Sequence, residues 1–132
     1  MTEEEKGYLA GIIDGEGTIT LTKDGEFRYP AVSVSSTTLE IMTYLKEHFG
    51  GVVTKKRERD PRYKLAYCWK IERRKAIELL SEIVDDLLEP RKKARAKLII
   101  ADYIRLTPRN GRYSEAARKA KHDFEEKFFS LN

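Results

Sequence analysis

Glycine recurs every fourth residue near the N-terminus, at Gly7, Gly11 and Gly15, within a stretch that otherwise reads as a helix. That helix opens on Thr2-Glu3-Glu4-Glu5, a capping box in which the Thr2 hydroxyl and the Glu5 carboxylate each satisfy a free amide, and it runs to about residue 14. Four-residue spacing stacks the three glycines on one face. Each costs a helix interior about 1 kcal/mol relative to alanine, so the stripe needs a compensating gain. Close approach of a second helix backbone supplies one. Ala10 lies beside the glycines, while Tyr8, Leu9, Ile12 and Ile13 can pack into the core from the flanks. Spacing alone leaves open whether the second helix belongs to the same domain or to another copy of the chain.

Two acids stand at the foot of this helix, Asp14 and Glu16. Carboxylates at a C-terminus oppose the helix macrodipole, at a cost of about 0.3–1 kcal/mol each when exposed. A cation is therefore expected there, and a divalent ion with hard oxygen ligands meets the requirement. Two such helices meeting along their glycine faces would bring both sets of carboxylates to one spot. That arrangement serves a symmetric metal site for in-line phosphodiester hydrolysis.

Beyond residue 17 the hydrophobic period changes from helical to alternating. Thr18-Ile19-Thr20-Leu21-Thr22 and Val32-Ser33-Val34-Ser35 read as strands on either side of a turn at residues 23–26. Thr37-Thr38-Leu39-Glu40 predicts a second capping box and a helix through Leu45, closed by Gly50-Gly51. A third strand is expected over about 52–57, a turn at Asp60-Pro61, and an aromatic-rich fourth strand over 63–71. Ile77, Leu80, Ile83, Val84 and Leu87 then recur at helical spacing before Pro90. Two more helices follow, over about 91–105 and, with Ser114 as N-cap, 114–129. The order is αββαββα plus two C-terminal helices. It predicts one α+β domain with a core over residues 2–88 and C-terminal helices over 91–129.

The net charge of +4 is a weak pointer to polyanions, and its clustering says more. Residues 55–64 hold six bases against two acids, and residues 91–97 hold five bases and no acid. Clustered bases suit a phosphate backbone, where each contact releases counterions; a solvated surface explains charge alone as well. The longest apolar run, residues 98–101, is far too short to span a bilayer. The acidic start lacks the apolar segment of a signal peptide. Cys68 is the single cysteine, which excludes an internal disulfide and a cysteine zinc cluster. An intracellular location, cytoplasmic or organellar, is the expectation, with no membrane partner and no small-molecule cofactor. His48 and His122 stand isolated and make no persuasive ligands.

Leu9-Ala10-Gly11-Ile12-Ile13-Asp14-Gly15-Glu16-Gly17 resembles the signature nonapeptide of the LAGLIDADG homing endonucleases. It departs from the eponymous form at Ile12, Gly15 and Glu16, and keeps a carboxylate at the last of these. The αββαββα order is also similar to the family fold, a curved four-stranded antiparallel sheet on a helical layer. The resemblance implies a site-specific double-strand DNA endonuclease that depends on Mg²⁺, with Mn²⁺ as a substitute and Ca²⁺ binding without supporting cleavage. It implies Glu16 as the metal-binding catalytic acid, Gly15 beside it at the metal, and Lys92, or Lys93, as a basic helper nearby. Gly7, Ala10, Gly11 and Asp14 would line a helix–helix interface, with Asp14 also fixing the helix end. Ser35 and Ser36 fall where the family often has a solvent-organising side chain. A single motif implies a homodimer and a long pseudo-palindromic target, and an intron-encoded origin belongs to the same resemblance. The alternative is an RNA maturase or a non-cutting DNA-binding protein on the same fold; retention of Glu16 favours the nuclease.

In such a fold the sheet lies along the major groove of double-stranded DNA. Alternation turns Ile19, Leu21, Val32 and Val34 toward the core and leaves Thr18, Thr20, Thr22, Ser33 and Ser35 for DNA. Lys55, Lys56, Arg57 and Arg59 are further candidates, although alternation does not fix which of them point to it. Lys97, Arg112 and Arg118 are candidates for phosphate contacts. Tyr67 and Trp69 share parity with Leu65 and Ile71 and are expected in the core, and Cys68 as a small, buried or half-buried hydrophobe.

Overall fold

Two αββ units follow one another along the chain, and each contributes two strands to one antiparallel sheet. The computed structural model describes residues 1–56, 62 and 65–131. The first unit is α1 (Glu3–Glu16), β1 (Gly17–Asp24) and β2 (Phe27–Ser36); the second is α2 (Leu39–Phe49), β3 (Val52–Lys55) and β4 (Tyr67–Glu72). Helices α3 (Arg73–Ile83), α4 (Pro90–Asp102) and α5 (Glu115–Ser130) follow. The strand order is β1-β2-β4-β3, so the two units meet along the antiparallel β2–β4 seam.

Local chemistry sets most of these boundaries. Thr2 and Glu5 form the expected capping box, each side chain accepting from the other's backbone N–H. Helix α1 runs two residues past its expected end because the chain turns at Gly17, where a Cβ would lie 2.7 Å from the Ile13 Cα. The second capping box does not form. Thr38, not Thr37, is the N-cap of α2; its side chain makes no capping bond, and its N–H donates to the Ser36 hydroxyl. Gly50 closes α2 at φ 82°, and Gly51, at φ 86°, is pressed so near β4 that a Cβ would lie 2.6 Å from the Lys70 carbonyl oxygen.

Strand β3 is shorter than expected and ends at Lys55. Strand β4 begins at Tyr67, with Leu65 and Ala66 outside it. The turn at Asp60-Pro61 lies outside the described residues. Helix α3 gives way at Val84–Asp86 to a 3₁₀ turn, so the apolar period through Leu87 holds although the α-helix stops earlier. Among the described residues no helix is long and apolar enough to cross a membrane.

The inner sheet face carries Ile19, Leu21, Val32, Val34, Trp69 and Ile71, packed with Leu9, Ile13, Met42, Leu45, Leu80 and Ile83 in one apolar cluster. Trp69 is fully buried and its indole N–H donates to the Gly50 carbonyl at 2.8 Å, which satisfies its one polar atom. Tyr67, at the strand start, is only half-buried.

Helix α5 docks through Phe124 and Phe128, and also buries a lysine. The Lys121 ammonium lies 3.8 Å from the Tyr103 ring centroid and donates to the Thr107 hydroxyl. Burial lowers its pKa from 10.5 to about 8. Below pH 8 folded and unfolded chains both carry the proton, and folding bears the full cost of hiding the charge. Above that point the folded chain sheds the proton first, so stability rises with pH toward 10. Half-buried Tyr103 and Tyr113, whose pKa values are raised by desolvation, oppose the trend beyond that range. Lys121→Met is expected to stabilise the fold at pH 7 by on the order of 1–3 kcal/mol, raising the melting temperature, and to flatten the rise between pH 8 and 10. Thermal melts across that range read both.

Candidate active site and nucleic-acid face

The foot of α1 is locked to the start of α4 by bonds running both ways. The Asp14 carboxylate accepts from the backbone N–H groups of Leu88 (3.0 Å) and Glu89 (3.0 Å). In return the Lys92 ammonium donates to the carbonyls of Ile13 and Asp14, both at 2.8 Å. Glu89 caps α4 by accepting from the Arg91 and Lys92 amides, and these bonds lower its pKa. Helix α1 has no basic residue in its last turn. Lys92 therefore supplies the positive charge that the C-terminus of α1 requires.

This lock bears on three expectations. The cation at the helix foot is a lysine ammonium, so the electrostatics of the helix end do not by themselves call for a metal. Lys92 is tied to two carbonyls of the segment that leads to Glu16. Asp14 is engaged inside its own chain at the helix end, as expected, and remains half-buried. Lys93 donates its amide to the Glu89 carbonyl as an ordinary helical residue. Glu16, the last residue of α1, is exposed, and among the described residues its side chain has no hydrogen-bond or ion-pair partner.

The glycine face of α1 is uncovered. Gly7, Gly11 and Gly15 are exposed, and a Cβ at any of them would meet nothing within 4 Å. A crowding helix inside the same domain, one of the two explanations of the stripe, is therefore absent among the described residues. Ala10 does not share that face. It lies about 100° round the helix from Gly11 and is 1% exposed in the core beside Leu9 and Ile13, so it cannot line an interface. Leu88, 83% exposed, stands next to the foot of α1.

The outer sheet face has the expected parity. Thr18 is exposed and Thr20, Thr22, Ser33 and Ser35 are half-buried, while their neighbours Ile19, Leu21, Val32 and Val34 face the core. The register arranges these residues in rows across the strands. Ser35, Cys68 and Thr54 form one; Thr18, Ser33, Lys70 and Val52 the next; Thr20, Ala31 and Glu72 a third; Thr22 and Tyr29 a fourth. Lys55 pairs with Tyr67 and so takes the inner parity, exposed at the strand end. Lys56 continues the ladder by donating to the Ala66 carbonyl. Arg57 and Arg59 lie outside the described residues.

Lys70, Glu72, Thr54 and Tyr29 belong to this face and were not among the candidates from sequence. Counting parity through β4 from Trp69 would have found the first two; the other two required the pairing register. Arg118 is engaged within the chain, 2.5 Å from Glu26, with His122 at 3.1 Å from the same carboxylate.

No family model matches the chain, and no curated protein matches its sequence. Solved structures do match its fold. The homing endonuclease I-CvuI, in complex with the I-CreI target in the presence of Mg with the DNA not cleaved, gives a TM-score of 0.74 over 98% of this chain and 83% of that one, at 16% identity. The LAGLIDADG homing endonuclease I-GzeII, in complex with a DNA target, gives 0.70 over 96% of this chain and 44% of that one, at 16% identity. The archaeal intron-encoded homing endonuclease I-Vdi141I, complexed with DNA, gives 0.64 over 98% and 85%, at 16% identity. The chain thus has the α+β fold of the LAGLIDADG homing endonucleases.

Proposed function

We propose that the chain is one endonuclease domain that cuts both strands of DNA at a specific, long, pseudo-palindromic site as a homodimer. The observation that carries this reading is the meeting, on α1, of an uncovered glycine face and a terminal acid, Glu16, that has no partner among the described residues. Helix α1 then leads directly into a strand whose outer side chains are threonines. Similar folds are found in DNA-complexed homing endonucleases, and a pI of about 9.1 accords with a polyanionic partner.

Among the described residues no three His, Cys, Asp or Glu side chains gather round one point. Each chain instead offers a half-set of hard oxygen donors, the Glu16 carboxylate with the Gly15 carbonyl beside it. Two-fold pairing along Gly7, Gly11 and Gly15 would bring two half-sets together, and oxygen donors of this kind fit Mg²⁺, with Mn²⁺ or Ca²⁺ as substitutes. When bound, such an ion supplies positive charge at the reacting phosphate and readies water for attack. Glu16 holds it there. Lys92 and Asp14 keep the Glu16 segment fixed against α4, and Thr18, Thr20, Thr22, Ser33, Ser35 and Lys56 face the groove. Hydrolysis leaves 3′-hydroxyl and 5′-phosphate ends. A single half-buried free thiol, Cys68, accords with an intracellular setting, and an intron-encoded origin with the archaeal neighbour.

A cleavage-site selection on randomised duplexes with Mg²⁺, repeated with Ca²⁺ to trap uncut complexes, tests the reading. The expected products are cut on both strands within a pseudo-palindrome. Selective binding of structured RNA with no duplex sequence recovered would support a maturase instead.

A further inference from the structure

We propose that Lys70 and Glu72 together read one G·C base pair in each half-site. The inference rests on the outer sheet face being the DNA surface. Hydroxyl and small apolar side chains fill most of its rows, and among the described strand residues of that face Lys70 is the one cation. A carboxylate turned toward a phosphate backbone is repelled by it; of the two acids of this parity, Asp24 is held by Arg73 at 3.1 Å, and Glu72 is the anomaly. No structural duty explains it: Glu72 is the N-cap residue of α3 yet makes no side-chain capping bond. Among the described residues its ion-pair partner is the Lys70 ammonium at 3.7 Å, with the Glu72 and Lys70 side chains 35% and 43% exposed.

A lysine and a glutamate this close present a donor and an acceptor side by side. The major-groove edge of G·C presents the complement, guanine O6 and N7 as acceptors beside the cytosine N4 amino donor. O6 and N4 are joined by a Watson–Crick hydrogen bond, so they lie about 2.9 Å apart, near the spacing of the charged pair. A reversed T·A pair fits less well. It too sets an acceptor, thymine O4, beside a donor, the adenine N6 amino group, but it offers the ammonium one acceptor where guanine offers two and places adenine N7 next to the carboxylate. The two side chains also line a hollow of about 510 Å³ with Val52, Thr54, Cys68 and a second cation, Lys75 of α3. Once DNA covers that hollow, its apolar walls lower the local dielectric and strengthen both contacts.

Site selection and competition binding with wild type, Lys70→Met and Glu72→Gln, each alongside a melting curve, test the assignment. Wild type is expected to select G·C at one symmetry-related position in each half-site. Each variant should lose that preference by about tenfold to a hundredfold and keep every other position. A uniform loss of affinity over all sequences, with a shallower salt dependence, would make Lys70 a phosphate contact and overturn the proposal. An unchanged preference in both variants would overturn it too, while leaving the nuclease reading intact. A wild type that selects no duplex sequence would sink both.

Discussion

Glu16→Gln is expected to abolish cleavage of the selected duplex while leaving its capture in Ca²⁺ detectable. Glutamine keeps the shape of the side chain and removes only its charge. Glu16 is exposed and has no partner among the described residues, so the fold loses nothing and the melting temperature should stay put. Both copies carry the substitution, so the proposed chemistry loses both symmetry-related carboxylates. Charge stabilisation by a bound ion is worth several kcal/mol, so at 1.36 kcal/mol per decade the rate should fall by roughly three to five orders of magnitude. Single-turnover cleavage with purified protein reads this directly. Cutting within tenfold of wild type would move the catalytic acid elsewhere.

The second large effect is expected at Gly11, and it separates assembly from folding. Gly11→Leu places a side chain where nothing lies within 4 Å in the single chain. Replacing a helical glycine should therefore stabilise the isolated chain by about 0.5–1 kcal/mol. Across a two-fold seam the same side chain enters twice. Overpacking at about 1–3 kcal/mol per site should weaken the dimer by about 30-fold to 10⁴-fold, and double-strand cutting should fall with it. Sedimentation and thermal melts should thus move in opposite directions, with less dimer and a tougher monomer. An intact dimer would show that the glycine face is not the seam, and a less stable monomer would reveal a neighbour inside the domain.

What could be read from the sequence was what local chemistry controls. The capping box at Thr2 and Glu5 needs three residues of chain, and the Thr–Ile–Thr–Leu alternation of β1 needs only a two-residue period. What escaped depended on distant partners. The need for a cation at the foot of α1 was legible, but its identity was not, because Lys92 stands 78 residues beyond the Asp14 carbonyl it holds. Asp14 was legible as an anchor for the helix end, while its partners, the amides of Leu88 and Glu89, were not. The Thr37 capping box did not form, and Thr38 took the N-cap position without a side-chain capping bond. The Ser36 hydroxyl took the Thr38 amide, and the helix began one residue later. Ala10 was misplaced because it sits next to glycines in sequence yet turns with Leu9 and Ile13 toward the core.

Helix α1 passes into β1 without a loop, Glu16 ending one and Gly17 beginning the other. The acid and Thr18 are two residues apart on one stiff segment, and successive outward threonines lie about 7 Å further along it. Such a segment works as a ruler. In the proposed enzyme the offset between the broken bond and the bases read would be set by covalent geometry, whichever side chains do the reading. Exchanging those side chains should move the preferred sequence and leave the cut where it was. One residue inserted after Gly17 would do the reverse, turning every threonine of β1 inward.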